Sequence, residues 1–244
     1  VPESVRKQIA DEVREEVVAQ AKAERWGDVN AVPEWVDRFK FEGDLRLGYQ
    51  RDIYSDDNAP VLNFLAAGQN IENTSEDRDR ARLRARLGIT ARVTPDVSAA
   101  LRLVTGNQSD AVSTNQTLGS GFNKYSFLVD RAYIKVDPVE WLSVSGGRIP
   151  NPWFATDLVW DEDLNFDGIA VNLRNVTPTA TLRPFATAGW FPLRADNPPN
   201  ADKQWLAGAQ IGTEFDWNSS IKLRFGLAKY HYSRIEARTD NNYD

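Results

Sequence analysis

Asp79-Arg80-Ala81-Arg82-Leu83-Arg84-Ala85-Arg86-Leu87-Gly88-Ile89-Thr90-Ala91-Arg92-Val93 is the stretch that decides the fold. Ala81, Leu83, Ala85, Leu87, Ile89, Ala91 and Val93 occupy one parity, and Arg80, Arg82, Arg84, Arg86, Gly88, Thr90 and Arg92 the other. Alternation with period two defines a strand with one apolar and one charged face, whereas a helix would scatter both classes around its axis. A row of arginines is too costly to desolvate in a packed core, so that face is wet. The small aliphatics opposite suit lipid. A strand greasy on one side and wet on the other over this length is the pattern of a membrane-spanning β-barrel.

The same alternation recurs along the chain. From Trp35 to Tyr49, Phe39, Phe41, Leu45, Leu47 and Tyr49 share a parity, and Arg38, Lys40, Glu42, Asp44 and Arg46 take the other. Further strands are expected over 97–105, 125–137, 140–148, 166–174, 181–191, 204–217 and 221–234, which makes nine. Short connections at Thr94-Pro95-Asp96, Asp137-Pro138, Asn175 to Thr179 and Asn218-Ser219 alternate with long ones near 50–78, 106–124, 149–165 and 192–203. That is the asymmetry of an outer-membrane barrel, with short periplasmic turns and long external loops. Trp205 and Trp217 share a parity and bracket Ala207, Ala209, Ile211, Thr213 and Phe215. Tilted strands of that length span about 30 Å, which puts an aromatic ring near each membrane interface; Trp35 and Tyr49 are read the same way. The opposite face, Gly208, Gln210, Gly212, Glu214 and Asp216, reads as wet. Over 125–137 the alternation is broken by Asp130, which marks a bulge or a subunit contact.

Composition closes off other classes. Mean hydropathy is -0.50 and no stretch is apolar enough for a transmembrane helix, yet a barrel needs an apolar residue only at alternate positions. The chain has no cysteine, which excludes thiolate catalysis, cysteine-zinc sites and disulfides. The one histidine, His231, stands in a strand-like run with no partner motif for catalysis, so no enzyme and no cofactor are expected. A net charge of -6 argues against nucleic acid. Asp161, Asp163, Asn165 and Asp167 alternate as calcium ligands might, but Phe166 stands at the loop's sixth position in place of glycine, and no metal is assigned.

The N-terminal region has a different character. Ser4 is a suitable N-cap, Gly27 a stop, and Val5, Ile9, Val13, Val17 and Ala21 recur every fourth residue, which predicts an amphipathic, coiled-coil-like helix over 1–27. A lone exposed helix of this length is marginal, so it should pack on its own copies or on a neighbour. Residues 28–34 read as a linker and 35–244 as the barrel. No leader is visible at Val1, and the chain is read as mature.

Between the fifth and sixth predicted strands, Gly146-Gly147-Arg148-Ile149-Pro150-Asn151-Pro152 sets a sharp exit, followed by Trp153, Phe154 and Trp160 among carboxylates. Apolar anchors amid charge imply a loop, 149–165, that packs inward. The segment Asp130-Arg131-Ala132-Tyr133-Ile134-Lys135, the turn at Pro138 and the run GGRIPNPWFATDLVWDEDLNFDGIAV resemble the trimeric porins of Gram-negative bacteria, most nearly the "putative porin" family with an N-terminal helical segment. The resemblance implies an outer-membrane homotrimer in lipid and lipopolysaccharide, with its helix in the periplasm. It further implies a passive diffusion channel for small hydrophilic solutes and ions. Carried over to this sequence, it sets the loop acids Asp157, Asp161, Glu162 and Asp163 against a basic wall of Arg38, Lys40, Arg80, Arg82, Arg84 and Arg86. Such barrels have an even number of strands, so nine are expected to be the N-terminal part of one with 16 to 18. An alternative function is structural: a tether from the outer membrane to peptidoglycan or another envelope protein through the helix.

Overall fold

The computed structural model describes residues 13–20, 36–66, 68, 71, 73–175, 177, 181–194, 204–217 and 221–234. Residues 13–20 are helical, and Val13, Val17 and Val18 are exposed there. The rest of the predicted helix and linker, and Trp35, lie outside the described residues. The chain divides into two units, Val1–Lys40 and Phe41–Asp244.

The second unit is one antiparallel sheet. Its long strands are β1 (Phe39–Asp52, entering from the first unit), β2 (Arg78–Thr94) and β3 (Val97–Val104). They continue as β5 (Leu128–Val139), β6 (Leu142–Pro150), β7 (Asn165–Arg174), β8 (Leu182–Arg194), β9 (Gln204–Asp216) and β10 (Lys222–Ser233). Each pairs with its neighbour in chain order, and β1 and β10 form the edges among the described residues. The nine expected strands are thus present. A two-residue β4, Gln116–Thr117, was not foreseen; it pairs with Arg82 and Leu83 where β3 has ended, extending the sheet at the long-loop end of β2. Val61–Ala66 adds a single helical turn and a half in the first long loop.

Register fixes the faces. Leu87 lies opposite Leu103, Ile134 opposite Gly146, Ile169 opposite Trp190, and Ile211 opposite Leu227. These side chains share one face, which is apolar and open: Leu47 is 73% and Leu227 74% exposed. Strand parity kept over this many strands leaves an apolar surface far larger than a soluble monomer shows. The other face carries Gly88 opposite Arg102, Lys135 opposite Ser145, Asn172 opposite Thr187 and Gln210 opposite Ala228.

One local alternative is decided and two expectations are corrected. The break at Asp130 is a bulge: Arg102 pairs with Arg131 and Leu103 with Val129, so Asp130 is the extra residue and parity is restored on both sides. The turn expected at Asp137-Pro138 falls at residues 140–141, because β5 runs on through Pro138; a register shift between Val136 and Val139 accommodates the ring. Gly146 and Gly147 do not form the exit from β6 but lie within it. Gly147 has φ 116°, and a Cβ there would stand 2.4 Å from the Ala132 carbonyl oxygen.

Candidate functional site

β6 continues to Pro150, and the loop that follows turns back over the polar face of β7–β10. Its first anchor is Trp153, 5% exposed, whose ring meets Phe191 at 5.9 Å and Tyr230 at 5.2 Å, both edge-on. Gly208 makes room for it: an ideal Cβ on Gly208 would sit 2.8 Å from Trp153 Cη2. Phe154 packs on Phe185 at 6.1 Å, and Trp160, at φ 63°, packs on Phe166 at 5.1 Å and Tyr230 at 5.3 Å. Trp153, Phe166, Phe191, Leu206, Ile149 and Ala170 form the hydrophobic core of the structure. The wet face expected for β9 is therefore covered at its centre, where glycines opposite the loop leave space that large side chains fill.

Polar side chains of that face hold the loop backbone. Gln210, 4% exposed, accepts a hydrogen bond from Phe154 N–H at 2.7 Å and returns one from Nε2 to Phe154 O at 3.1 Å, as a strand neighbour would. Asn172 Nδ2 donates to Pro152 O at 3.2 Å and to Thr187 Oγ1 at 3.0 Å. Two amides, Gln210 buried and Asn172 half-buried, thus satisfy backbone groups that an inward loop would otherwise leave bare. At the far end of the loop, Asn165 donates to Asp130 at 2.7 Å and accepts from Arg131 Nε at 2.8 Å, while Asp130 pairs with Arg102. The extra residue of the bulge is the one that fastens the loop's return.

The ladder stands on β2 as expected, but it is not a bare row of cations. Arg84 Nη2 lies 2.9 Å and Arg86 Nε 2.6 Å from the two oxygens of Asp44, and Arg80 pairs with Asp52 at 2.5 Å. Among the described residues Arg82 has no carboxylate partner and donates to Asn115 O at 3.4 Å, and the Nε groups of Arg80 and Arg82 are buried without a partner. Asp163 of the loop comes within 4.0 Å of Arg86. Among the described residues it is the one predicted loop acid that reaches the ladder. Asp161 caps Asp163 N–H at 2.8 Å, and Asp157 and Glu162 are exposed. Arg38 and Lys40, exposed, belong to the first unit.

Of the aromatics expected at the membrane interfaces, Trp205 is the second residue of β9, at its long-loop end, and meets His231 at 5.4 Å, and Trp217 follows β9 at the short-turn end, 67% exposed. Tyr49 is exposed on β1 and donates to Asp79 at 2.5 Å. The alternating acids do not converge on a metal: Asp163 faces Arg86, Asn165 binds Asp130, and Asp167 pairs with Arg148 at 2.9 Å.

The sequence matches the family described as "Putative porin" over residues 1–244. The chain belongs to that family. No curated protein matches it. Membership assigns a porin, non-enzymatic as a class and of the outer membrane, carried by strands. Among the described residues no helix is long and apolar enough to cross a membrane. Sequence reasoning missed Asp44, Asp52, Asp130, Asn172 and Gln210 as residues of the site. Asp44 and Gln210 did carry a signal, since each lies on the polar parity of its strand.

Proposed function

We infer that the chain provides a passive diffusion path for small hydrophilic solutes and ions across the outer membrane, narrowed where loop 151–164 faces the β2 ladder. The observation that carries this reading is the loop itself. It is pinned to the polar face by Trp153 and Gln210, and its Asp163 carboxylate stands 4.0 Å from Arg86. Opposed charges across a wet gap orient polar solutes and make a nonpolar one displace ordered water.

Charge at the gap can be counted. The four ladder arginines and the three acids in ion-pair contact with them, Asp44, Asp52 and Asp163, sum to +1, and the neighbouring Arg46 and Glu42 offset each other, despite -6 for the whole chain. Permeation answers to the local field, which supports a mild anion preference. Purified protein in planar bilayers should give discrete current steps, with a zero-current potential displaced toward the anion's in a salt gradient. Absence of steps from correctly inserted protein would overturn the channel; a cation-directed potential would overturn the assignment of the gap.

A further inference from the structure

On the short-turn side of the loop lies a cavity of about 310 Å³, at the lower end of the range for small-molecule sites. Its floor is the polar face of β5–β10, contributing Lys135, Ser145, Arg174 and Phe185 among others, and its roof is Pro152, Trp153 and Phe154 of the loop. Three cations line it, Lys135, Arg174 and Arg224, and no carboxylate does.

The nearby acids lie behind these cations. Lys135 reaches Asp137 at 2.8 Å, and Arg224 Nε reaches Glu214 at 3.3 Å; Glu214 and Asp216 are in turn bound by Arg183. Arg174 forms no ion pair among the described residues: its Nε donates to the Glu140 carbonyl at 3.0 Å, and the side chain lines the cavity. Arg224 is clamped with its guanidinium 4.5 Å from the Phe154 ring centre and 4.6 Å from that of Phe185, so its position is fixed before any ligand arrives. Fixed, multidentate donors beside an aromatic wall are the chemistry for an anion that carries an apolar body.

We propose that this cavity is a binding site for small organic carboxylates with a planar apolar group, which meet Arg174, Lys135 and Arg224 with the carboxylate and Phe154 and Phe185 with the body. Inorganic anions would use the cations and leave the rings uncovered. A cation of the same shape would meet Arg174, which has no ion-pair partner among the described residues, and would find no carboxylate in the lining. The inference rests on the channel reading for solute access.

The test titrates the purified full chain in detergent with benzoate, benzylamine and acetate by calorimetry, and measures chloride current in bilayers with each present. Benzoate should give saturable heat and reduce the current, acetate should bind at least about tenfold more weakly, and benzylamine should not bind. Arg174→Gln with Lys135→Gln should weaken benzoate by about tenfold or more, while Arg174→Lys with Lys135→Arg restores it. Circular dichroism confirms that each variant keeps its sheet. Benzoate heat unchanged in the neutral variant, or benzylamine binding as well as benzoate, overturns the site. Current steps without benzoate binding remove the site alone; benzoate binding without current steps supports the site and removes the channel reading.

Discussion

Trp153→Ala should release the loop without dismantling the sheet. The indole is 5% exposed and makes two edge-on ring contacts, at 5.9 and 5.2 Å. Truncating a buried tryptophan costs about 3–5 kcal/mol, about 0.5–1.5 kcal/mol of which belongs to each aromatic pair. That cost falls on loop docking, because Trp153 contributes to no strand ladder and the sheet's hydrogen bonds remain. At about 1.4 kcal/mol per factor of ten, the undocked population should rise by about 10²-fold to a few times 10³-fold. Gln210 and Phe154 still hold the loop's other side, which favours the lower figure. The loop contains no lysine or arginine but has Asp157, Asp161, Glu162 and Asp163, so an acidic-specific protease reads its release directly. Cleavage in 151–164 should accelerate, and single-channel conductance should rise as Asp163 leaves Arg86. If the variant keeps a wild-type sheet signature and shows unchanged cleavage and conductance, the aromatic anchor does not position the loop.

Leu87→Arg should hinder membrane assembly and Arg86→Leu should not, because Leu87 is exposed on the apolar face, where a charge near the bilayer centre costs about 2–4 kcal/mol; equal yields of inserted protein would refute the assigned faces. Asp44→Asn removes the acid shared by Arg84 and Arg86 and takes the local balance from +1 to +2, so the zero-current potential should move further toward the anion's; an unmoved potential would place the permeation path elsewhere. Acid should loosen the base of the first long loop. The Tyr54 N–H donates to Asp77 at 3.1 Å, and this bond together with Arg51 holds the Asp77 carboxyl below its ordinary value. A depressed carboxyl stabilises above its unfolded value and loses that contribution as pH falls through the folded one. Exchange of the Tyr54 amide, corrected for its intrinsic pH dependence, should therefore accelerate below about pH 4; constant protection would refute the contact.

Strands and faces were legible in the sequence because alternation is local and each parity meets one solvent. Leu47, Leu87 and Ile211 read as outward-facing from their own segments alone, and they are exposed on one face. The breaks were legible only as breaks. Asp130 announced an irregularity, but that it is a bulge which ties down Asn165 depends on the register with the adjacent β3, where Arg102 lies, and on nothing the segment itself contains. The loop's inward course was readable from tryptophans too apolar to leave in water. Which acid would meet the ladder was not, since Asp157, Asp161, Glu162 and Asp163 are chemically alike and backbone geometry alone selects Asp163. Compensation of the ladder by β1 was missed for a related reason: Asp44 lay in plain view on the polar parity of its strand, but opposing it to Arg84 and Arg86 requires the register between β1 and β2.

The inner face separates the forces that place the loop from those that act on solutes. At Trp153 and Phe154 docking rests on ring burial and on neutral amide hydrogen bonds from Gln210 and Asn172, which respond little to ionic strength, whereas charge enters through Arg224 over the Phe154 ring and through Asp130 and Arg102 at the loop's return. The loop's charge enters through Asp163 at 4.0 Å from Arg86, a separation at the outer limit of an ion pair with the carboxylate half in solvent, so it adds little to docking. An acid that does not hold its own loop in place leaves its field available to what passes. The ladder is arranged on the same principle: Asp44 and Asp52 offset most of its self-repulsion and fix Arg80, Arg84 and Arg86, while Arg82 keeps an uncompensated charge beside Asn115. On the channel reading, a loop held mainly by ring burial beside charges that are only partly neutralised would let an opening discriminate among solutes by sign as well as by size.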